Sequence, residues 1–156
     1  MKKIVVCILL LFCIGYFSLK FYTNAVYQSD YVGLPTVPCQ DDTLPIKQNY
    51  SLIIRMTINH KDYQLAPTIG HDFGKCTHDI YTNDTSGIVF VKANDISRYT
   101  LGQFFDVWRV TFNENQIFGY LTTQSRHIEV FVNDHKVDTY RNTPLVPNGK
   151  IQVIYQ

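Results

Sequence analysis

Between Cys76 and Trp108 the chain places a polar loop, an apolar strand and one amphipathic helix in 33 residues, CTHDIYTNDTSGIVFVKANDISRYTLGQFFDVW. The helix constrains the fold most. Thr100-Leu101-Gly102-Gln103 has the S/T-x-x-E/Q form of a capping box, in which the threonine hydroxyl accepts from the Gln103 amide. Leu101, Phe104, Phe105 and Trp108 then recur at i, i+3, i+4 and i+7, which puts them on one face of a helix of about two turns. An apolar face on so short a helix has to be laid on something, and the rest of the chain reads as sheet. Trp108 and the two phenylalanines are therefore expected in the core rather than on a ligand-stacking platform.

Residues 52–58 (LIIRMTI) are rich in β-branched and apolar side chains, and Asn59-His60-Lys61-Asp62 supplies turn chemistry before residues 63–65 return. This predicts a hairpin ended by Pro67, which cannot donate to a ladder. Residues 70–79 are polar, carry His71, Gly74, Cys76 and His78, and read as a loop. Residues 80–82 form a short strand. In Asn83-Asp84-Thr85-Ser86-Gly87 the first two residues tolerate the left-handed region and the last supplies positive φ, a dense turn signal. Residues 87–92 (GIVFVK) follow as a strand apolar enough to be central in a sheet. Residues 107–112 continue out of the helix as an extended segment. Residues 126–133 (RHIEVFVN) and 150–155 (KIQVIY) alternate apolar and polar, with a turn at 133–136. The short echo between Ile58-Asn59-His60-Lys61 and Val132-Asn133-Asp134-His135 reflects shared hairpin chemistry rather than duplication. The expected fold is α+β, mostly β: a single small domain of two hairpins plus a central strand, with one short helix packed on the sheet, either β-grasp-like or an open sandwich.

The 14% aromatic content, nearly all Tyr and Phe, suits such strands. Domain organisation follows from the N-terminus. Lys2 and Lys3 precede an apolar run over residues 4–19, the pattern of an export signal. Residues 1–25 are read as a signal peptide or an N-terminal membrane anchor, 26–48 as an extended proline-containing lead-in, and 49–156 as the mainly β globular domain. Either N-terminal outcome places the domain across the inner membrane: periplasmic, anchored and facing the periplasm, or extracellular. Lys2, Lys3 and Lys20 all belong to that segment; without them 11 basic residues face 13 acidic ones. No run of Lys and Arg interleaved with aromatics exists, so nucleic acid is not an expected partner.

Cys39 and Cys76 remain in the exported part. In an oxidising compartment an isolated pair is most simply a disulfide; the closed loop of 37 residue steps is valued at roughly 3–4 kcal/mol by the chain-entropy estimate. The other reading uses Cys76 with His71, His78 and Asp84 as zinc or copper ligands, all ligand-type side chains within 14 residues; His60 and His135 fall at turns and are expected to be exposed. Asp84-Thr85-Ser86-Gly87 lacks the G-x-S-x-G context of a nucleophile elbow, and a β-turn accounts for it. Tyr99, Tyr120, Tyr140 and Tyr155 are candidates for an aromatic binding surface.

Over YTNDTSGIVFVKANDISRYTLGQFFDVW the chain resembles a group of small, largely uncharacterised exported proteins of bacteria and archaea. That group carries His-Thr-His-Asp-x-Ser-Gly followed by T-L-G-x-F-F-x-x-W. The match falls on Thr82, Asp84, Ser86, Gly87, Thr100, Leu101, Gly102, Phe104, Phe105 and Trp108. The group's two motif histidines correspond to Tyr81 and Asn83, its strand histidine to Phe90 and the acidic residue after it to Lys92. The resemblance implies a retained turn and helix with a changed site. With no catalytic signature, the expectation is a non-enzymatic binding or assembly module of the cell envelope with no cofactor, whose partner is another envelope protein; a metal-binding protein holding zinc or copper is the alternative.

Overall fold

A computed structural model describes residues 37–156. The reading of residues 1–25 and the first part of the lead-in lies outside these. Among the described residues no helix is long and apolar enough to cross a membrane.

The elements in chain order are β1 (Gln48–Ile58), β2 (Lys61–Tyr63), β3 (His71–Asp72), β4 (Cys76–Thr77), β5 (Ile80–Tyr81), β6 (Ile88–Ala93), α1 (Leu101–Trp108), β7 (Phe112–Asn113), β8 (Gln116–Ile117), β9 (Tyr120–Leu121), β10 (Ile128–Val132), β11 (His135–Val137) and β12 (Lys150–Tyr155), with a 3₁₀ turn at Tyr140–Asn142 between the last two strands. The main sheet runs β11–β10–β12–β1–β6–β5, and β2 pairs with the far end of β1. At its centre β1 and β12 lie parallel, while the other neighbours are antiparallel. A hairpin-like β1–β6 pair, one helix, and a β10–β11 hairpin whose following strand returns beside β1 make up the β-grasp arrangement.

Alternation decides which side of the sheet is buried. On β1, Leu52, Ile54, Met56 and Ile58 point into the core while Ile53 and Arg55 face out. Val89 and Val91 of β6, Ile128 and Val130 of β10, and Ile151 and Val153 of β12 fill the same side. Helix α1 covers it with Leu101, Phe104 and Phe105, each fully buried. Trp108 sits at the margin, half-buried against Phe104 and Phe105.

The capping box forms as its sequence predicts: Gln103 N–H donates to Thr100 Oγ1 at 3.4 Å and Thr100 N–H donates to Gln103 Oε1 at 2.9 Å. The helix stops at Arg109, which turns into the left-handed region at φ 61°. Residues 107–112 therefore do not continue out of the helix as an extended segment. Val107 and Trp108 complete the last helical turn, and Phe112 opens a three-stranded meander, β7–β8–β9, without a strong alternating signal in the sequence. The stretch at 70–79 likewise departs from a plain loop, since β3 and β4 pair there with His71 opposite Thr77 and Asp72 opposite Cys76.

Thr82 and Gly87 hold the segment around β5 in place. Thr82, fully buried, donates through Oγ1 to the Ala66 carbonyl at 2.6 Å and accepts from the Ile69 amide at 3.1 Å. Gly87 has φ 87°, and a Cβ added there would meet the Ile54 carbonyl oxygen at 2.7 Å. Ile54 also donates its N–H to the Gly87 carbonyl at 2.8 Å, so a side chain at this position would disturb β1 itself.

Removing Phe104's ring leaves a cavity where helix and sheet meet. Phe104→Ala is expected to lose about 3–5 kcal/mol of unfolding free energy, read from urea denaturation; a loss under about 1 kcal/mol would show that this contact does not anchor the helix.

Candidate functional site

The lead-in meets the domain through backbone first. Cys39 and His78 form an antiparallel bridge, with Gln40 N–H donating to the Thr77 carbonyl at 2.8 Å and Asp79 N–H donating to the Pro38 carbonyl at 3.0 Å. Gln40 Nε2 adds a bond to the His78 carbonyl at 2.9 Å, and Val37 is buried in the core. On this frame Cys39 and Cys76 form a disulfide, with Cα atoms 5.7 Å apart, within the range such a bridge requires. Its presence is compatible with an exported protein.

The four residues read as possible metal ligands do not all converge. Among the described residues, the one group of three or more His, Cys, Asp or Glu side chains whose ligand atoms lie within 4.8 Å of one another is Cys39, Cys76 and His78. His78 is buried; its Nδ1 lies 2.9 Å from the Val37 carbonyl and its Nε2 3.4 Å from Asp72 Oδ2. A carbonyl can only accept, so Nδ1 carries the hydrogen. Asp72 is held from its other oxygen by Arg109 at 2.9 Å. His71 is engaged elsewhere, with Nε2 3.0 Å from the Thr82 carbonyl and Nδ1 3.2 Å from Thr77 Oγ1. Asp84 is exposed and accepts from the Ser86 amide at 2.8 Å, a turn-closing bond; the Ser86 side chain, then this amide, hold its carboxyl below the usual range. Ser86 in turn accepts from the Ile88 amide at 3.2 Å. Thr82, Asp84, Ser86 and Gly87 thus have turn and packing duties. His60 and His135 are exposed, as expected.

The positions that the resemblance gives to histidines hold other chemistry. Tyr81 and Phe90 are direct cross-strand partners with stacked rings 5.4 Å apart, and His71 meets Tyr81 edge-on at 5.4 Å. Asn83 is exposed in the turn.

Sequence reasoning passed over a buried carboxylate. Asp79 is 3% exposed; its Oδ2 accepts a 2.5 Å bond from Tyr99, and its Oδ1 is buried with no hydrogen-bond partner. Burial lifts the Asp79 carboxyl above its usual range, offset in part by the Tyr99 bond and by His78. Burial, then the acceptor on Asp79, raises the Tyr99 hydroxyl well above the usual phenol range. Tyr99 also lines an open groove of about 960 Å³ with Tyr50, Ile96, Arg98, Pro144 and Pro147.

The aromatic surface expected from Tyr99, Tyr120, Tyr140 and Tyr155 is corrected. Tyr99 and Tyr155 are buried, because their hydroxyls reach Asp79 and the Leu121 carbonyl and draw the rings inward; Tyr140 is half-buried, and only Tyr120 is exposed. A different set gathers at the margin of the helix. The Tyr63 ring lies 4.6 Å from Phe118 and 6.2 Å from Trp108, and Trp108 meets Phe118 edge-on at 5.1 Å. Phe118 and Gly119 join β8 to β9 as a two-residue turn with φ 51° and 83°. Such turns favour Asn or Gly at the first position, and a bulky side chain there is an outlier. Tyr120 and Leu121 follow at once, 43% and 61% exposed.

Comparison with protein-family models, curated proteins and solved structures returns no significant match.

The Asp79 environment has a pH signature. A carboxyl raised on folding contributes most to stability below its unfolded pKa, and that contribution is lost as pH rises through the folded value. Relative to Asp79→Asn, the native chain should therefore lose melting temperature as pH is raised from below to above the usual aspartate value of 3.8. Parallel melting curves for the two proteins across that range would contradict the assignment.

Proposed function

We propose that this domain is a non-enzymatic binding or assembly module, carried across the inner membrane by its N-terminal apolar segment and working in the envelope or outside the cell. Its ligand on this reading is another envelope protein, engaged by the ledge of Tyr63, Trp108 and Phe118 with Tyr120 and Leu121. One observation carries the reading. Phe118 occupies a left-handed turn position at φ 51°, where the backbone would favour Asn or Gly, and its ring packs at a tilt against Tyr63, with centroids 4.6 Å apart. Local preference broken at a surface, with the ring left among partly exposed aromatics, is a mark of sites kept for something other than stability. Tyr and Trp supply large area and a polar handle at little entropic cost, and they dominate the energetics of protein interfaces.

Phe118→Asn separates the fold from the ledge, because Asn suits the turn while removing the ring. A photocrosslinking residue at Leu121 in native cells should give one discrete protein adduct, and the same residue at Lys136 on the β11 edge should not. Adding Phe118→Asn should reduce the Leu121 adduct at least about tenfold while the melting temperature is kept or raised. An adduct indifferent to Phe118→Asn, or equal capture from both positions, would refute the ledge as the binding surface.

A further inference from the structure

We propose that Cys39, Cys76 and His78 form a thiol-gated metal site: the disulfide keeps it closed, and reduction by a dithiol oxidoreductase opens it to a thiophilic cation such as Zn²⁺. This goes beyond the binding surface above and does not rest on it.

The donor set is the first reason. Two cysteine sulfurs and one imidazole, with ligand atoms within 4.8 Å of one another, are the soft and borderline donors that zinc and copper(I) select. The second is that the donors stay together when the disulfide opens. Cys39 and His78 are bridged through the backbone, with bonds of 2.8 and 3.0 Å on either side and the Gln40 side chain at 2.9 Å. Cys76 is fixed in the β3–β4 hairpin opposite Asp72. None of these contacts involves sulfur, so the two thiols produced by reduction remain facing His78. Third, the ring is already oriented: Nδ1–H donates to the Val37 carbonyl at 2.9 Å, so Nε2 is the nitrogen left to bind a cation. Ligating histidines are held in this way by a carbonyl or carboxylate on the other nitrogen. Asp72 Oδ2, 3.4 Å from Nε2, supplies an oxygen beside the group.

Access is the fourth. Cys39 is exposed and Cys76 half-buried, at the foot of a hairpin whose tip carries Phe73, 83% exposed. An incoming thiolate can reach the bridge, and exposed disulfides are the ones that exchange. Buried structural bridges do not present this combination.

The chemistry balances. The reductant's two thiols are oxidised to its own disulfide; the two electrons cleave the Cys39–Cys76 bond, and two protons end on the cysteine sulfurs. A divalent cation then displaces both protons to solvent. Two thiolates and a dication form a neutral unit, so the buried His78 gains no uncompensated charge.

The test uses the full chain with Cys7→Ser and Cys13→Ser, which removes the other two thiols of the sequence. Zn²⁺ is measured after desalting, with and without prior anaerobic reduction by a phosphine, and Co²⁺ substitution reports thiolate charge transfer. One Zn²⁺ per reduced chain, none retained by the oxidised chain, and a thiolate-to-cobalt band are expected. His78→Gln should weaken binding at least about tenfold, and Cys39→Ser should abolish the reduction-gated uptake. Near-UV circular dichroism follows the fold throughout. A reduced chain that stays folded without taking up Zn²⁺, uptake unchanged by His78→Gln, or a chain that unfolds on reduction before metal is added would each overturn the proposal.

Discussion

The parallel pairing of β1 with β12 is the contact on which the rest of the domain depends. It runs from Ile53 opposite Lys150 to Ile58 opposite Tyr155, joining segments almost a hundred positions apart. With these two strands at the centre, every other main strand has one defined place: β6 and β5 on one side, β10 and β11 on the other. The pairing also aligns Ile54 with Ile151 and Met56 with Val153, so the buried faces of both strands coincide. Slipping the register by one residue would turn these side chains out and strand Arg55 and Gln152 against the helix.

Around this centre the structure is consistent with local rules almost everywhere. The two hairpins turn on Asn59-His60 and Asn133-Asp134, all four residues with positive φ, the two-residue turn that matches strand twist. The helix begins at a capping box and ends at a left-handed residue. Several positions break the pattern, among them Tyr140 at φ 39°, Phe118 and Asp79. Phe118 takes a turn place suited to Asn, and Asp79 is a carboxylate buried with one oxygen unpartnered. An orphaned buried oxygen costs about 1–3 kcal/mol, and a strained turn residue a comparable amount. Neither is needed to build a β-grasp sheet.

The proposed functional features lie mostly on connections, with Tyr63 of β2 the main sheet's own contribution. The disulfide and His78 sit where the lead-in crosses the β3–β4 hairpin, and the aromatic ledge sits on the β8–β9 turn beside the helix end. The sheet fixes these connections and adds only Tyr63 to them, close to the usual division between a rigid scaffold and the loops it presents.

Much of this was legible in the chain. The capped helix, the alternation of β10 and β12, the Gly87 turn and the Cys39–Cys76 pair are set by interactions between residues close in sequence, or by there being two cysteines beyond the N-terminal apolar run. The mostly β class with a single helix follows from those patterns. Tertiary structure alone decided the parallel centre, because pairing partners leave no local trace when the strands lie at opposite ends of the domain. It also decided which tyrosines face water: Tyr99 and Tyr155 are drawn in by Asp79 and the Leu121 carbonyl, acceptors 20 and 34 positions away. The same holds for the site. His71, Asp84, Cys76 and His78 look alike as ligands in sequence, and only the fold gives His71 to Thr77 and Thr82, Asp84 to its own turn, and His78 to the two sulfurs.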